Sequence, residues 1–522
     1  MLEASLAILN ANVITLNSKQ PRAQAIAIHE GKIVAVGSDQ QIRQFAGKNT
    51  KVIHMKNKTI VPGLVDCHVH MTEFGTFLQT LDLRNVKSIE EMQNKLREHV
   101  RAHPNAKWIF EGRWDQEKFA ENRYPTRWDL DAAVPNKPVF LARVCGHVGV
   151  ANSKALQLAS ITKETTVEGG QVELDKKTNE PNGILYENAM ELVKQAIPKP
   201  NLKTLERTCL LACRKAVEEG LTTVHWLVNS MDEICTLQKM ATEKKLPLRV
   251  YLGVNVELLE EIINPRTLID PRSDMLKIGF VKILADGSLG ARTAALKQPY
   301  DDNRSTLGMM LYTQKKLNQL VLKAHQAGLQ LGIHAIGDRA VDNVITAFEK
   351  ALKKSPRKNH RHRIEHCSLL DPNLIRRMKH LKLIASVQPH FVISDFWTVD
   401  RIGKSRARWT YPFKTLTDAG VVVASSSDCP IEQINPLLGI WAGVTRKTGV
   451  EERLTVEEML RTYTVNAAYA SFDEEKKGTI EVGKLADLTV LSEDITEIIP
   501  DKIRDVTVQM VIVDGKIVYD TE

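Results

Sequence analysis

The stretch VPGLVDCHVHM, residues 61–71, carries two histidines one residue apart, directly behind an apolar run that ends in an aspartate. Side chains at positions i and i+2 of a strand point to the same side. His68 and His70 are therefore expected to project together from the end of the strand that TIVPGLVD (59–66) predicts. Two imidazoles at a strand end indicate either a metal site or hydrogen-bonded core residues.

Seven further apolar runs follow, and several are followed in turn by segments with helical periodicity. Eight strands with intervening helices favour a (β/α)8 TIM barrel. A barrel unit takes about 30 residues. His334 and His366 are 32 residues apart, close to one unit, and His366 and Asp428 are 62 apart, close to two. The predicted later strands are residues 221–228, 247–254, 279–286, 329–335, 362–367, 383–389 and 421–428.

The interval between the first and fourth strands is too long for barrel units alone. His70 and Lys282 are 212 residues apart, whereas three units need about 90–100. We therefore expect a large insertion after the first barrel strand, residues 74–205, with a hairpin at 169–187 and a position over the barrel mouth. The barrel itself is expected to comprise residues 59–73 and 206–473.

The two ends of the chain share one design. AIAIHEGKIVAVG (25–37) and VQMVIVDGKIVYD (508–520) each predict two alternating strands joined by a tight turn, and both contain GKIV. We expect residues 1–58 and 474–522 to build one small β-domain, in which the chain enters and leaves side by side.

The composition is that of an ordinary globular protein, with 43% hydrophobic and 26% charged residues among 522. The net charge of +8 is diluted over the chain, and we interpret the densest basic stretch, residues 353–363, mostly as solvated surface. The N-terminus does not resemble a signal peptide, and no apolar run approaches the ~18 residues of a membrane span. Seven cysteines without regular spacing favour reduced thiols. We predict a cytoplasmic protein with a small-molecule substrate and without nucleic-acid or membrane partners.

Chemically active residues stand where the predicted strands end. Residues at the C-terminal ends of barrel strands converge on one mouth, where active sites lie. Four histidines and a carboxylate form a divalent-metal set that suits zinc, although iron and manganese accept similar ligands. The candidate metal ligands are His68, His70, Lys282, His334, His366 and Asp428.

Lys282 is the unusual member of this set. A buried ammonium without a partner is costly, and two nearby cations would repel it. Reaction with carbon dioxide would convert it to a carbamate whose two oxygens could bridge two metals. The alternative is a salt bridge between Lys282 and Asp286 at the strand end.

Several long motifs resemble the amidohydrolase superfamily, and more narrowly its third family, which includes N-substituted formamide deformylase. The motifs span nearly the whole chain: VPGLVDCHVHM (61–71), GHVGVANSKAL (146–156), GGQVELD…NGILYENA (169–189), VKILADGSLGART (281–293), LGIHAIGDRAVDNVI (331–345), HRIEHC (362–367) and SSSDCP (425–430).

The resemblance implies a TIM barrel with a β-sandwich built from both termini, and it is consistent with a homodimer. It also implies two zinc ions bridged by carboxylated Lys282 (N6-carboxylysine). By the matched motifs, His68, His70 and Asp428 would hold one metal, and His334 and His366 the other.

The predicted reaction is hydrolysis of a C–N bond in an amide, formamide or cyclic amide. A metal-bound hydroxide would attack the carbonyl, with Asp428 as general base and then general acid. Two alternatives remain: a non-hydrolytic reaction on the same metal barrel, such as decarboxylation or isomerisation, and a non-catalytic scaffold. The complete ligand set speaks against the scaffold.

Three residues are candidate substrate contacts. His147 would enter the pocket from the insertion or pack in its core. Arg292 would pair with a substrate carboxylate or carbonyl, or fix its own loop. Trp114 would line the pocket or serve packing. Glu365 precedes a ligand histidine, so strand alternation predicts that it faces the opposite way as structural support.

Overall fold

The computed structural model describes residues 3–104, 106–198, 200–263 and 273–521. Its centre is an eight-stranded parallel sheet in sequential order, which confirms the predicted (β/α)8 barrel. The strands are Leu64–Val69, Leu221–Val228, Arg249–Asn255, Leu276–Leu284, Gln330–Ala335, Arg363–His366, Ile384–Val387 and Val422–Ser425. All seven runs predicted after the first therefore form barrel strands.

The barrel closes between its first and eighth strands through the segment that follows the eighth. The Asp428 N–H donates to the carbonyl oxygen of His68 (2.9 Å), and the His70 N–H donates to that of Cys429 (2.8 Å). Asp66 accepts hydrogen bonds from both the N–H and the hydroxyl of Ser427. The first and last strands are thus joined at the C-terminal rim.

The predicted first strand, 59–66, is wrong as a single element. Thr59–Pro62 pairs with sandwich strands, and the barrel strand begins at Leu64. Gly63 separates the two strands, and a Cβ there would lie 2.2 Å from Oγ1 of Thr222. Only glycine allows the chain this close approach.

Helices surround the barrel and bury amphipathic faces against it. In Asp338–Lys354, buried residues recur at spacings of three and four, including Val341, Val344, Ile345 and Phe348. The other helices of this region are Met71–Phe77, Leu202–Glu218, Met231–Thr242, Leu259–Ile263, Gln314–Gln326, Pro372–Leu381, Phe391–Ser394, Thr398–Ile402, Lys404–Ala407, Phe413–Asp418, Pro436–Thr445, Val456–Thr462 and Val465–Ala470.

Both termini contribute to a β-sandwich, as predicted. One sheet contains Leu6–Leu9, Ala25–His29, Lys32–Gly37 and Lys51–His54, and the other contains Asn12–Ile14, Arg22–Ala23, Thr59–Pro62, Leu488–Leu491, Val508–Val513 and Lys516–Asp520. Both predicted hairpins form, and their turn residues have positive φ: 47° and 77° at Glu30 and Gly31, and 54° and 70° at Asp514 and Gly515. The short helix Asp39–Arg43 follows the first hairpin.

The insertion folds around its own six-stranded sheet. Its strands are Leu81–Asp82, Ile109–Trp114, Val139–Arg143, Val148–Ala151, Gly170–Leu174 and Pro181–Glu187, and its helices are Ile89–Ala102, Arg127–Ala133, Ser153–Leu158 and Ala189–Ala196. The last two strands form the predicted hairpin. Two clusters of buried apolar side chains form its core.

The basic stretch 353–363 is less exposed than predicted, because its last four residues, 360–363, are buried. The Arg363 side chain enters the barrel, where it donates to Glu365 and to the carbonyl oxygen of Cys67. Across the described ranges, no helix is both long and apolar enough to cross a membrane.

Candidate metal centre

His68, His70 and Asp428 meet at the C-terminal rim of the barrel. Their ligand atoms all lie within 4.8 Å of one another. The Nε2 atoms of both histidines are 3.3 Å from Oδ1 of Asp428. That buried oxygen has no hydrogen-bond partner among the described residues. Two imidazole nitrogens and a carboxylate oxygen therefore converge on one point, the donor set that a divalent cation uses.

The backbone after the eighth strand delivers Asp428 to this point. Asp428 has φ of 56°, a left-handed conformation that is uncommon outside glycine. The rim hydrogen bonds to His68 and the contacts of Asp66 with Ser427 hold the segment in place. Asp66 was not predicted as a site residue, although a carboxylate inside the apolar run LVD was a signal for it.

Glu365 orients His68. Its Oε2 lies 2.6 Å from Nδ1 of His68, and it also pairs with Arg363; both carboxylate and guanidinium are fully buried. An acceptor at Nδ1 places the ring proton there and leaves Nε2 free as a ligand atom. The prediction that Glu365 faces away from the site is wrong. His366 has φ of 76°, so the chain leaves the strand at that residue and side-chain alternation ends.

His334 and His366 form a second imidazole pair, with ring centroids 4.4 Å apart. His334 donates from Nε2 to the carbonyl oxygen of Gly287 (3.1 Å), which leaves Nδ1 free. His366 donates from Nδ1 to Oε1 of Gln388 (2.7 Å), which leaves Nε2 free. Each ring thus keeps one lone pair for a metal, and Gln388 is a supporting residue that the sequence pattern did not reveal.

Burial keeps these imidazoles in their ligand form. It lowers the pKa of His68, His334 and His366 well below the usual value, and the positive charge of Lys282 acts in the same direction on all three. Neutral imidazole is the form that binds metals.

Lys282 lies inside this group, with Nζ 3.0 Å from Nε2 of His68. Burial lowers the pKa of Lys282 to about 8, against the opposing charges of Glu365 and Asp428. The alternative salt bridge to Asp286 does not form within the described part of the chain. Asp286 instead accepts backbone N–H groups of Ala295, Ile336 and Gly337.

A cavity of about 550 Å³ opens onto this centre. His334, His366 and Asp428 line it from the barrel, and the insertion contributes 143–145 and His147. Nδ1 of His147 is 2.8 Å from Oε2 of Glu187, and its ring centroid is 5.2 Å from that of His334. Burial disfavours the charged ring, but Glu187 outweighs it and raises the pKa of His147 to about 9. Residues of the insertion thus form part of the cavity wall.

Two residues predicted as substrate contacts lie elsewhere, and neither is among the described residues that line the cavity. Trp114 is fully buried in the core of the insertion and donates from its indole to the carbonyl oxygen of Leu141 (2.9 Å). Arg292 forms an ion pair with Asp302 (2.8 Å), the loop-fixing alternative. An aromatic or cationic residue near a motif was too weak a signal to separate packing from binding.

Comparison with known proteins identifies the family. A model of the family described as "Amidohydrolase family" matches residues 51–519. A protein named "Putative amidohydrolase YtcJ" from Bacillus subtilis is 33% identical over 97% of this chain and 98% of its own. N-substituted formamide deformylase of Arthrobacter pascens is 28% identical over 99% and 98%. The crystal structure of an uncharacterized metal-dependent hydrolase from Pyrococcus furiosus has a TM-score of 0.76 at 32% identity, covering 94% of this chain and 100% of that chain.

The chain belongs to the amidohydrolase family. The family and this archaeal structure support a metal-dependent hydrolase as the class of the protein.

Proposed function

We propose that the protein hydrolyses a C–N bond in an amide, formamide or cyclic amide with the help of two divalent metal ions, most simply zinc. The observation that carries this proposal is the convergence of His68, His70 and Asp428 around the unpartnered Oδ1 of Asp428. His334 and His366, each with one free ring nitrogen, would hold the second ion. Bound there, the ions would polarise the scissile carbonyl and lower the pKa of water towards neutrality.

Asp428 is the proposed general base and acid. It takes a proton from the attacking water and returns it to the leaving nitrogen, so one carboxylate serves both halves of the reaction. Asp428 lines the cavity and lies 3.3 Å from the Nε2 atoms of two histidines, a position that supports this role.

His147 is the proposed substrate contact from the insertion. Glu187 holds its Nδ1, so Nε2 is the ring nitrogen available to a substrate in the cavity. A donor there would stabilise the oxyanion that develops on the carbonyl oxygen.

Lys282 is the proposed bridge between the ions, as a carbamate. Its neutral amine would add to carbon dioxide, forming an N–C bond and releasing one N–H proton. The position of Nζ beside Nε2 of His68 and the absence of the Asp286 ion pair among the described residues support this assignment. Lys282→Ala should lower the metal content, and added propionate should restore it. Two ions per chain in the variant without propionate would contradict the bridge.

The cysteines and the cavity bear on the cellular location and on the kind of substrate. All seven cysteines are described and none is in a disulfide, which supports the cytoplasmic location we propose. The cavity of about 550 Å³ has the size of a small-molecule site.

Metal analysis combined with a screen of N-formyl, N-acyl and cyclic amides tests the function. We expect two divalent ions per chain after reconstitution with zinc, and hydrolysis of at least one amide class. Less than one ion per chain would contradict the two-ion site. Release of carbon dioxide without amide turnover would favour the non-hydrolytic alternative.

A further inference from the structure

A carboxylate without a cationic partner opens onto the cavity from the loop after the seventh barrel strand. Asp395 follows the short helix Phe391–Ser394, and its Oδ2 accepts a hydrogen bond from the hydroxyl of Tyr411. Within the ranges the structure describes, no lysine, arginine or histidine pairs with Asp395, which lines the cavity. Among the described residues, the only side-chain hydrogen bond to the Asp395 carboxylate comes from the neutral hydroxyl of Tyr411.

Among the described residues, the other charged side chains of the cavity outside the metal centre are paired with an opposite charge, apart from Lys118, which lies exposed to solvent. This difference matters because only an uncompensated charge can select the charge of a ligand. The pairs are Arg143 with Asp115 (2.9 Å), Arg84 with Asp82 (2.8 Å) and His390 with Glu432 (2.5 Å), and the exposed Lys118 donates to the carbonyl oxygen of Arg84 (3.1 Å).

Two hydroxyl groups line the same cavity beside Asp395. Oγ of Ser394 makes no hydrogen bond to any described residue, and Ser368, only 1% exposed, has the Tyr411 hydroxyl as its side-chain neighbour. A buried polar group left unpaired costs about 1–3 kcal/mol. Hydroxyl oxygens accept hydrogen bonds, so both could accept one from an N–H donor of a ligand.

Aromatic rings lead from the metal centre to Asp395. The rings of His366 and Phe391 are nearly parallel with centroids 6.3 Å apart. The ring centroid of Tyr411 lies 6.5 Å from that of Phe391 on the way to Asp395. Phe396 is 63% exposed although it lines the cavity, and Trp397 lies beside it. Aromatic faces attract cations and apolar groups alike.

We propose that Asp395, with Tyr411 and Ser368, forms a subsite for a protonated amino group of the substrate. The substrate would then be an amide that carries a positively charged amine beyond an apolar spacer. The term substrate rests on the proposed hydrolytic function, whereas the subsite is defined by binding alone.

The electrostatics of Asp395 agree with this assignment. Burial raises the pKa of Asp395 to about 7, and the charges of Glu432 and Asp115 act in the same direction; the hydrogen bond from Tyr411 and the charge of Arg143, which is itself paired with Asp115, oppose this rise without cancelling it. The protein itself therefore compensates the charge of this carboxylate poorly, and a bound cation would supply the missing compensation.

Binding of a charged and a neutral probe tests the subsite directly. Benzylamine, protonated at pH 8, and benzyl alcohol are titrated calorimetrically into the zinc-loaded protein. We expect the amine to bind at least about tenfold more tightly than the alcohol. Asp395→Asn should remove this preference and leave alcohol binding unchanged, which also shows that the variant is folded. The exposed Asp400, on the neighbouring helix, provides the matched control Asp400→Asn, which should retain the preference.

Equal binding of both probes to the wild type, or an unchanged preference in Asp395→Asn, would overturn the subsite. A kinetic comparison of N-formylbenzylamine with its 4-aminomethyl and 4-carboxy derivatives separates the two proposals. The highest kcat/KM is expected for the aminomethyl compound. In Asp395→Asn its kcat/KM should fall because KM rises. Hydrolysis without that preference overturns the subsite. If none is hydrolysed but the binding pattern holds, the subsite stands and formamide hydrolysis fails.

Discussion

Replacing Glu365 by glutamine tests how the first metal ligand is oriented. The carboxylate lies 2.6 Å from Nδ1 of His68 and pairs with Arg363 in a fully buried setting. Glutamine keeps the size of the side chain but removes its charge. Its single amide oxygen cannot accept from both His68 and Arg363 as the two carboxylate oxygens do.

Two separate losses follow from this geometry. Removing a carboxylate that supports a ligand histidine typically weakens metal binding 10–100-fold, or about 1.4–2.7 kcal/mol. Breaking a buried ion pair costs about 3–5 kcal/mol of stability. Arg363 keeps its hydrogen bonds to the carbonyl oxygen of Cys67 and the hydroxyl of Ser386. We therefore expect the free energy of unfolding to fall by the lower end of this range, about 3 kcal/mol.

Zinc affinity is measured by competition with a chromophoric chelator, and the free energy of unfolding by urea titration of the metal-free protein. The matched control is Glu349→Gln, whose carboxylate pairs with Arg377 at the half-exposed surface. It should change stability by about 0–1 kcal/mol and zinc affinity not at all. If Glu365→Gln binds zinc as tightly as the wild type, Glu365 does not orient His68.

Asp428→Asn should leave most of the metal bound and lower kcat by a factor of about 10²–10⁴, checked by steady-state kinetics with metal analysis; near-normal turnover would remove Asp428 from proton transfer. Chelation should abolish activity and lower the Tm. Adding zinc at about 100 times its Kd should raise the free energy of unfolding by about 2.7 kcal/mol, checked by calorimetry. Trp114→Phe should cost about 1 kcal/mol by loss of the hydrogen bond to Leu141 while KM stays constant; a raised KM would return Trp114 to the substrate site. Asp487→Asn should destabilise the protein by about 3 kcal/mol in urea titration, because it breaks the 2.7 Å ion pair of the buried Arg249 guanidinium and leaves it only the half-exposed Asp514 as a charged partner.

The barrel was predictable because most of its strands are short, nearly continuous apolar runs, as expected for strands buried on both faces; the sixth, Arg363–His366, is the exception. The sequence pattern also predicted which polar residues end those runs, and the structure brings His68, His70 and Asp428 together. The break at Gly63 was not predictable, since the apolar character continues from one sheet into the next and only the close approach of Thr222 separates them.

The predicted direction of a side chain was wrong where the backbone leaves regular strand geometry. The alternation argument placed Glu365 away from the site because it assumed that His366 continues the strand, whereas His366 has positive φ. The supporting contact of Gln388 comes from another strand end, and no spacing along the chain encodes it. Trp114 and Arg292 show the same limit, because their partners Leu141 and Asp302 are known only from the fold.

The hydrogen-bonded rim between the first and eighth strands has a consequence for biosynthesis. His68 and Asp428 belong to the same trio of ligands but stand 360 positions apart in the chain (428 minus 68). During translation, the early histidines emerge long before Asp428 is made, so the complete trio cannot form until all eight barrel strands have been synthesised. Metal bound by all three residues would therefore show that the barrel had closed, and a product truncated before the last barrel strand lacks Asp428.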